Sequence, residues 1–377
     1  MSNLITPEME KTAHPDHVIK VGEKCKAIKV MDLQSPVFGN DPNELIKHRF
    51  LYRGGIMILT GPTGAGKSSF TMQWAFNLAG GAKMFGLRIG NCYYQKGLKV
   101  LVIQAENDEG DLAEQRDGVL SVLPCDVINR ASENLSFVTM PDASGGVFAE
   151  RLDALCAIHE PDVVFIDPVF SFLGGDNNAQ KDVSNWVRNL ILPILMKYKC
   201  ATVLIHHNNK PQKDAVKSGA YTMAGSAEWA NAARAVLTLE PVGDETYALT
   251  AVKRGDRLGW KDESGTKTKT QYISYHGGQD ENGSPIIAWR EATKDEIPKF
   301  TEGGRGRKVT VKDVVNALNG RPLTAVKDLQ KMLMDDTDAS LSLVKERISE
   351  STQLGLIQST RLGRNVFYSE VKNTART

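Results

Sequence analysis

Residues 56–68 read IMILTGPTGAGKS, an apolar run followed by a glycine-rich loop that ends in lysine and serine. The last eight match G-x-x-x-x-G-K-[ST], a pattern whose backbone N–H groups and following helix start surround a phosphate. Lys67 is expected to reach the β- and γ-phosphates, and the Ser68 hydroxyl to ligate Mg²⁺. The alternative is a glycine turn with a surface lysine. The sequence favours a site for ATP and Mg²⁺, comprising Gly61, Pro62, Thr63, Gly64, Ala65, Gly66, Lys67, Ser68 and Ser69.

Apolar runs of four to six residues recur through the middle of the chain, separated by longer amphipathic stretches. Continuous apolar runs of this length, alternating with helices, are typical of strands buried on both faces of a parallel sheet. The sequence therefore predicts an α/β fold with a mainly parallel central sheet. The predicted strands include IMILT (56–60), KVLVIQ (99–104), VVFID (163–167) and ATVLIHH (201–207), with helices after Lys67 and over 181–197.

Two carboxylates follow predicted strands of this sheet. Asp167 ends VVFID, and ligands of open α/β sheets bind at the carboxyl ends of strands, so Asp167 is a candidate for holding Mg²⁺. Glu106 follows KVLVIQ, one strand after the helix that starts at Lys67. A carboxylate at that edge can orient and deprotonate an attacking water. The alternative for Glu106 is a solvated acidic loop, since further acidic residues follow directly.

Two adjacent histidines, His206 and His207, end the run ATVLIHH. Neighbouring residues of a strand point to opposite faces, so the pair is not expected to chelate one metal ion. A contact with the γ-phosphate is the better interpretation. His207 is the stronger candidate because it lies nearer the strand end.

The polar stretch 208–224 follows the histidines and carries Lys210, Lys213, Lys217 and Tyr221. Lysines that contact phosphates and an aromatic ring that stacks a base suit a loop that binds single-stranded nucleic acid. An ordinary solvated surface loop is the competing interpretation.

Three basic residues lie just past short predicted elements further along the chain. Arg234 follows a short helix, and Lys253 and Arg254 follow a strand over 247–252. Cations in such positions can act on the nucleotide of a neighbouring subunit by neutralising charge in the transition state. The alternative is that each is a surface basic residue.

Together these motifs resemble the RecA-type P-loop ATPases, in particular the ring-shaped replicative helicases of the plasmid RepA branch and related phage proteins. The resemblance covers about 45–257 and rests on GPTGAGKS, AEND, VVFIDP, LIHHNNK and GSAEWANAAR. It implies a six-membered ring with a channel for single-stranded DNA, nucleotide at each interface, Glu106 as catalytic base and Asp167 as the second-strand acid. It also implies that His207 senses the γ-phosphate and that Arg234 acts across the interface.

This sequence departs from that family in two respects. Its C-terminal part, after about residue 308, does not belong to the compact plasmid protein, and two of its basic residues are spaced differently. Related bacterial helicases often place a lysine and an arginine two residues apart after the 247–252 strand. Here Lys253 and Arg254 are adjacent, and Arg257 lies further on. Which cation reaches the neighbouring nucleotide therefore stays open at the level of sequence.

Length and composition set the remaining limits. A chain of 377 residues predicts two or three domains, and a net charge of +1 argues against a protein that coats nucleic acid by charge alone. Five scattered cysteines without a CxxC pair indicate reduced thiols rather than disulfides or a zinc site. There is neither a visible secretory signal nor an apolar run of membrane-spanning length. We therefore expect a cytoplasmic protein that does not associate with membranes.

The last part of the chain has a different character. Between Gly303 and Thr377 there are 13 basic and 8 acidic residues, a net charge of +5 that leaves −4 for the preceding 302 residues. Three short amphipathic helices and a hairpin around RLGR suggest a winged-helix module, which binds duplex DNA or another protein. The DNA contacts expected there are Lys345 and Arg347 on the recognition helix, and Arg361 and Arg364 at the wing tip.

The predicted domains are an N-terminal arm or packing element (1–44), a RecA-like ATPase domain (45–300), a linker (301–308) and a winged-helix-like domain (309–371). The function predicted first is an oligomeric, DNA-stimulated ATPase motor, a replicative-type helicase of a plasmid, phage or mobile element. The alternative is a regulatory or DNA-organising ATPase that does not translocate and uses ATP as an assembly switch.

Overall fold

A computed structural model describes residues 27–37, 39–207, 227–243, 245–262, 265–279, 283, 286–297, 309–321, 323–337, 341–363 and 365–371. The chain divides into two compact units, the first ending at Ile297 and the second beginning at Pro298. The division falls just before the Gly-rich stretch 301–308, which lies outside the described residues.

The first unit is built on a nine-stranded sheet in the order β11-β10-β9-β8-β3-β7-β6-β4-β5. Strands β3 to β8 run parallel to one another, and β9, β10 and β11 are antiparallel to their neighbours. A small hairpin of β1 and β2 precedes β3. The strands are β1 (Glu44–Ile46), β2 (Leu51–Tyr52), β3 (Ile56–Gly61), β4 (Val100–Gln104), β5 (Leu135–Thr139), β6 (Val163–Asp167), β7 (Ala201–His207), β8 (Ala235–Pro241), β9 (Thr246–Lys253), β10 (Thr270–Tyr275) and β11 (Trp289–Glu291).

Helices cover both faces of this sheet. The helices are α1 (Lys67–Ala79), α2 (Glu109–Leu120), α3 (Cys125–Asn134), α4 (Gly145–His159), α5 (Val169–Leu173), α6 (Gln180–Asn185), α7 (Leu192–Tyr198) and α8 (Glu228–Ala232), with a π-helical stretch at Trp186–Ile191 between α6 and α7. One core contains α1, α2 and α3, with Trp74 as a fully buried side chain. The opposite core contains α4 to α8 and buries Trp186 and Trp229. Strands β3, β4 and β6 are buried along their whole length because both faces are covered.

The predicted α/β fold with a mainly parallel sheet is confirmed. The helix expected over 181–197 forms as α6, the π-helical stretch and α7. The prediction did not include β10 and β11, which extend the sheet beyond β9 on its antiparallel side. These strands are only partly buried and lack the continuous apolar run of the central strands, so their sequence gives only a weak pattern.

The second unit contains three helices and a three-stranded antiparallel sheet in the order β12-β14-β13. The helices surround a small core that includes Val314, Leu333 and Val344. A capping box starts its first helix, since Thr310 and Asp313 bond each other's backbone N–H groups. The elements are α9 (Val311–Leu318), β12 (Thr324–Ala325), α10 (Val326–Thr337), α11 (Leu341–Gln353), β13 (Ile357–Leu362) and β14 (Asn365–Glu370).

Candidate nucleotide-binding site

The glycine-rich loop joins the end of β3 directly to the start of α1. Gly64 and Gly66 have φ values of 79° and 74°, a region that side chains with a Cβ rarely adopt. Gly66 is also the N-cap of α1, so the loop leads directly into the first turn of that helix. The fold therefore presents N–H groups and the positive end of the helix dipole at the carboxyl edge of the sheet.

The ammonium group of Lys67 lies inside this loop. It donates to the carbonyl oxygens of Gly61 and Pro62, at 3.0 and 2.8 Å, and lies 3.0 Å from Nδ1 of His207. Burial lowers the pKa of Lys67 to about 8, against the opposing effects of Asp167 and Glu106. Lys67 is thus a buried cation held at the point where the loop would surround phosphate.

Asp167 ends β6 beside the start of α1. Burial raises its pKa to about 6, while a hydrogen bond with Ser68 and the charge of Lys67 act in the opposite direction. The paired carboxylate and hydroxyl supply hard oxygen donors, which Mg²⁺ prefers, so the residues fit that ion. Ser68 and Asp167 would hold Mg²⁺ here. The ion, when bound, supplies positive charge to the phosphate oxygens.

Glu106 follows β4 at the same edge of the sheet. In the register of β4 and β6, Gln104 pairs with Asp167, so the residues after Gln104 lie beside the carboxylate of β6. The side chain of Gln104 accepts hydrogen bonds from the backbone N–H groups of Glu106 and Asn107, at 3.2 and 2.8 Å. Glu106 is exposed, and its charge acts on both Lys67 and Asp167. The sequence prediction did not include the role of Gln104 in holding this loop.

The two histidines at the end of β7 have different surroundings. His207 lies opposite Gly61 in the register with β3, 3.5 Å from the Thr63 hydroxyl, with its ring 5.1 Å from that of Phe170. His206 is fully buried on the other face, against Trp229 at 5.3 Å, and neither ring nitrogen has a hydrogen-bond partner. Among the described residues, no group of three or more His, Cys, Asp or Glu side chains is arranged to hold a metal ion.

The candidate trans-acting cations lie at the opposite edge of the sheet. Arg234 immediately precedes β8, whose Ala235 pairs with Met57 near the beginning of β3. Lys253 ends the antiparallel strand β9, where it pairs with Val236, also near the beginning of β8. The sheet therefore separates both cations from the phosphate-binding loop of their own chain.

The contacts of these cations distinguish them. Lys253 donates to the carbonyl oxygens of Ala230 and Ala233, both at 2.7 Å, and so caps α8. Arg254 lies over the ring of Tyr52 at 5.8 Å, and its Nη1 atom is buried without a hydrogen-bond partner. Arg234 is exposed. The geometry therefore gives Lys253 a structural contact, and leaves Arg234 and Arg254 as the candidates for an interaction with another molecule.

An aromatic cover on α1 was not foreseen from the sequence. The amide group of Gln73 pairs with the backbone of Trp289 in both directions, at 2.8 and 2.6 Å, and so attaches β11 to α1. The indole N–H of Trp289 donates to the Ser69 hydroxyl at 3.1 Å, and the Tyr275 hydroxyl packs against Gly66. A Cβ atom at Gly66 would lie 2.0 Å from that hydroxyl, so this position requires glycine.

Several predicted nucleic-acid contacts are outside the described residues, namely Lys210, Lys213, Lys217, Tyr221 and Arg364. In the second unit, Lys345 is exposed on α11 and lines a groove of about 350 Å³, and Arg361 is exposed on β13. Arg347 is partly buried and pairs with Glu350. Its guanidinium group is therefore less available to a nucleic acid than the ammonium group of Lys345.

The glycine-rich loop, its lysine and the neighbouring acids define a P-loop domain of the ATPase type. Residues 25–213 match the sequence model of a family described as "AAA domain", which is half of the chain. The chain therefore belongs to this family. No protein with curated annotation matches it.

The fold is similar to two solved structures at low sequence identity. One is the "ATPase Domain" of another protein, at 11% identity and a TM-score of 0.40, covering 62% of this chain and 84% of that one. The other is "The Structure Of A DnaB-Like Replicative Helicase And Its Interactions With Primase", at 11% identity and a TM-score of 0.43, covering 75% and 70%. In the described residues, no helix is both long and apolar enough to cross a membrane.

Proposed function

We propose that this chain is a Mg²⁺-dependent, DNA-stimulated ATPase that works as an oligomeric motor of the replicative-helicase type. The observation that carries the proposal is the convergence of Lys67, Asp167, Glu106 and His207 at the carboxyl edge of one sheet. A buried cation, a buried acid and an exposed carboxylate in one place are what hydrolysis of a phosphoanhydride requires.

The reaction assigned to this site is in-line attack of water on the γ-phosphate. Glu106 orients and deprotonates the water, since it is exposed beside Lys67 and Asp167. Lys67 neutralises charge on the β- and γ-phosphates. His207 contacts the γ-phosphate at the end of β7 and passes its presence to the residues that follow this strand.

We propose oligomer formation because the described residues that line the space beside Ser68 and Asp167 include no arginine. Arg234 and Arg254 lie at the sheet edge opposite the phosphate-binding loop, so a second copy must supply them to a nucleotide. A contact between different surfaces of identical chains closes into a ring when the rotation permits. A six-membered ring with nucleotide at each interface and single-stranded DNA in the channel is the assembly proposed here.

The test of the motor compares ATPase rates with and without single-stranded DNA. Neutralising Lys210, Lys213 and Lys217 together should remove the stimulation and leave the DNA-free rate within about twofold. The control is a matched triple variant of the exposed Lys83, Lys96 and Lys261, which should keep the stimulation. Full stimulation in the first variant would favour a regulatory ATPase that uses ATP as an assembly switch. A strand-displacement assay with ATP then tests unwinding directly.

For the second unit we propose a winged-helix module that binds duplex DNA. Three helices and a three-stranded antiparallel sheet that contains the hairpin of β13 and β14 support this assignment. α11 is the recognition helix in this proposal and carries the exposed Lys345, while the exposed Arg361 lies on β13.

A further inference from the structure

One tyrosine ring contacts two arginines where the β1–β2 hairpin meets the end of β9. The guanidinium carbon of Arg49 lies 5.1 Å from the centroid of the Tyr52 ring, and that of Arg254 lies 5.8 Å from it. Tyr52 and both arginines are partly buried. A cation over an aromatic face is attracted to it, and the attraction is stronger when the pair is withdrawn from water. The ring therefore holds Arg254 without neutralising its charge.

Arg254 lacks the contacts that usually fix a partly buried guanidinium group. Its Nη1 atom is buried without a hydrogen-bond partner, and within the described part of the chain its side chain forms no ion pair. Its backbone has a φ of 62°, a left-handed conformation that is uncommon for residues other than glycine. Residues held in such conformations cluster at functional sites. The contact with Tyr52 is thus the one that orients this side chain among the described residues.

The surroundings of the Tyr52 ring are themselves fixed. Arg49, the other cation on the ring, forms an ion pair with Asp41. A second link joins the hairpin to the turn after β9, because Nη1 of Arg257 donates to the carbonyl oxygen of His48 at 3.1 Å. The hairpin and the turn therefore pack as one piece, with the tyrosine ring between their arginines.

Positive charge is concentrated around Arg254. Burial, and then the charges of Arg257, Arg234 and Arg49, lower its pKa. The guanidinium group nevertheless stays protonated, because its pKa in proteins remains above about 12. Of these four arginines, only Arg49 is paired with a carboxylate among the described residues. Like charges that lie close together repel one another, so this cluster favours an anion from another molecule.

We propose that Tyr52 is the positioning residue for Arg254, and that its ring aims the guanidinium group at the phosphates of a nucleotide bound to a neighbouring copy. This role rests on the proposed function, which supplies both the neighbouring copy and the reaction. Tyr52 acts through Arg254 and does not touch the nucleotide itself. Its loss should therefore lower turnover and leave ATP binding to the loop of the same chain unchanged.

The first experiment compares Tyr52→Leu with Tyr52→Phe in the full chain, with ATP and Mg²⁺. Tyr52→Leu should lower kcat by about 10–100-fold and leave KM within about twofold, because displacing a reacting group by about 1 Å can cost that much. Tyr52→Phe keeps an aromatic face and should stay within about threefold of the wild type. Tyr198→Leu is the matched control and should change neither constant, since Tyr198 also lies under a cation, Lys197 at 4.7 Å, but on α7.

A double-variant cycle shows whether Tyr52 acts through Arg254. Arg254→Ala removes the group that is being positioned, so adding Tyr52→Leu to it should cause no further loss of kcat. A further loss as large as that of Tyr52→Leu alone would mean that the tyrosine acts by another route, which overturns the proposal. A loss that Tyr52→Phe shares in full would overturn it too, because the aromatic face would then not be what matters.

Mixing chains shows in which copy the defect acts. The Lys67→Ala chain lacks a working loop but still presents Tyr52 and Arg254. Adding it to the Tyr52→Leu chain should raise the turnover per Tyr52→Leu chain, because some intact loops then face a correctly held arginine. No rise in mixed oligomers, whose mass is checked by native mass spectrometry, would place the defect in the chain's own site and overturn the proposal. Tyr52→Leu chains that no longer assemble would assign the residue to assembly and overturn it as well.

Failure of this proposal can be told apart from failure of the proposed function. A large loss of turnover in Arg254→Ala with none in Tyr52→Leu overturns the role of Tyr52 and leaves the trans-acting arginine in place. Wild-type turnover in Arg254→Ala, or a wild-type chain that is monomeric under every condition, contradicts the part that the proposed function gives to Arg254, and the role of Tyr52 falls with it.

Discussion

The Nζ atom of Lys67 lies 3.0 Å from Nδ1 of His207, at the point where β3 and β7 end side by side. An ammonium group has no acceptor, so Nδ1 must accept this hydrogen bond and the ring must carry its proton on Nε2. Burial, and then the charge of Lys67, lowers the pKa of His207 to about 4, so the ring is neutral at physiological pH. A neutral ring fixed in one tautomer can donate from Nε2 without adding a charge to the site. The contact thereby links the phosphate-binding loop to the strand that leads into 208–226.

The first prediction concerns the two groups assigned to hydrolysis. Glu106→Gln should lower turnover by about 10²–10⁴-fold while ATP binding is kept, because the amide cannot take a proton from water. Lys67→Ala should abolish turnover and also weaken nucleotide binding, because it removes the buried cation of the loop. Steady-state hydrolysis and equilibrium binding of ATP, measured in parallel, check both results.

Asp108 offers a matched control for Glu106. It lies two residues away and caps α2 by accepting a hydrogen bond from the N–H of Asp111. Asp108→Ala should cost about 1 kcal/mol of stability and leave the hydrolysis rate within about twofold. ATPase activity that survives Glu106→Gln would falsify the assignment of the base.

The second prediction concerns cations supplied by a neighbouring copy. Arg234→Ala and Arg254→Ala should lower turnover by about 10³-fold or more if the residue acts as a trans-acting finger, with little change in ATP affinity. Mixing an inactive Arg254→Ala chain with an inactive Lys67→Ala chain should restore part of the activity. Some interfaces then contain an intact loop from one chain and an intact arginine from the other.

Lys253 tests the specificity of that result. The ammonium group of Lys253 caps α8 through Ala230 and Ala233. Lys253→Met should therefore lower the free energy of unfolding, and its effect on turnover should be small. The same mixing experiment is made with Arg234→Ala in place of Arg254→Ala. If only the Arg234→Ala chain restores activity with the Lys67→Ala chain, Arg254 is structural. Failure of every mixture would argue that neither arginine acts between chains.

How much of the site is predictable depends on how local its determinants are. The loop at 61–68 and the acid of VVFID are contiguous stretches whose neighbours in sequence already fix the strand and turn, so they are readable from sequence. The arrangement of Glu106 next to Asp167 followed from the rule that parallel strands end at one edge. Its support by Gln104 depends on a side chain turning back to the loop, which no sequence pattern specifies.

Long-range contacts account for what sequence reasoning missed. Gln73 and Trp289 are 216 residues apart, and each is unremarkable in its own local pattern. The same holds for Arg254, whose position over Tyr52 depends on the packing of the β1–β2 hairpin against the end of β9. The spacing of Lys253 and Arg254 in the sequence does not show which of them reaches a neighbouring nucleotide. Their different partners separate them in the structure.

The third prediction concerns the second unit. Lys345→Ala and Arg361→Ala should each weaken binding to duplex DNA. Each should also make the plot of log affinity against log salt less steep by about 1, as expected for the loss of one phosphate contact. Lys331→Ala, an exposed lysine on α10, is the control and should change neither quantity. ATP hydrolysis without DNA should be unaffected. Duplex binding that is unchanged after deletion of 303–377 would place the duplex site elsewhere and favour a protein-binding role for this unit.

The last prediction concerns the pH dependence of stability. Burial lowers the pKa of His206 to about 4, whereas an unfolded histidine titrates near about 6.5. The stability associated with neutral His206 is therefore complete above about pH 6.5 and is lost progressively as the pH falls through about 4, by at most about 3 kcal/mol. His206→Phe keeps a ring against Trp229 and removes the titration, so its advantage over the wild type should grow as the pH is lowered from about 7.5 to about 4.5.

Urea unfolding followed by tryptophan fluorescence measures this difference, because all five tryptophans belong to the first unit. His276→Phe, at an exposed position, is the control and should shift the curve equally at both pH values. Near neutral pH the His206 variant should already match or exceed the wild type, since it removes two buried ring nitrogens without hydrogen-bond partners. A constant difference between the wild type and His206→Phe across the pH range would contradict the assignment of a neutral, buried His206.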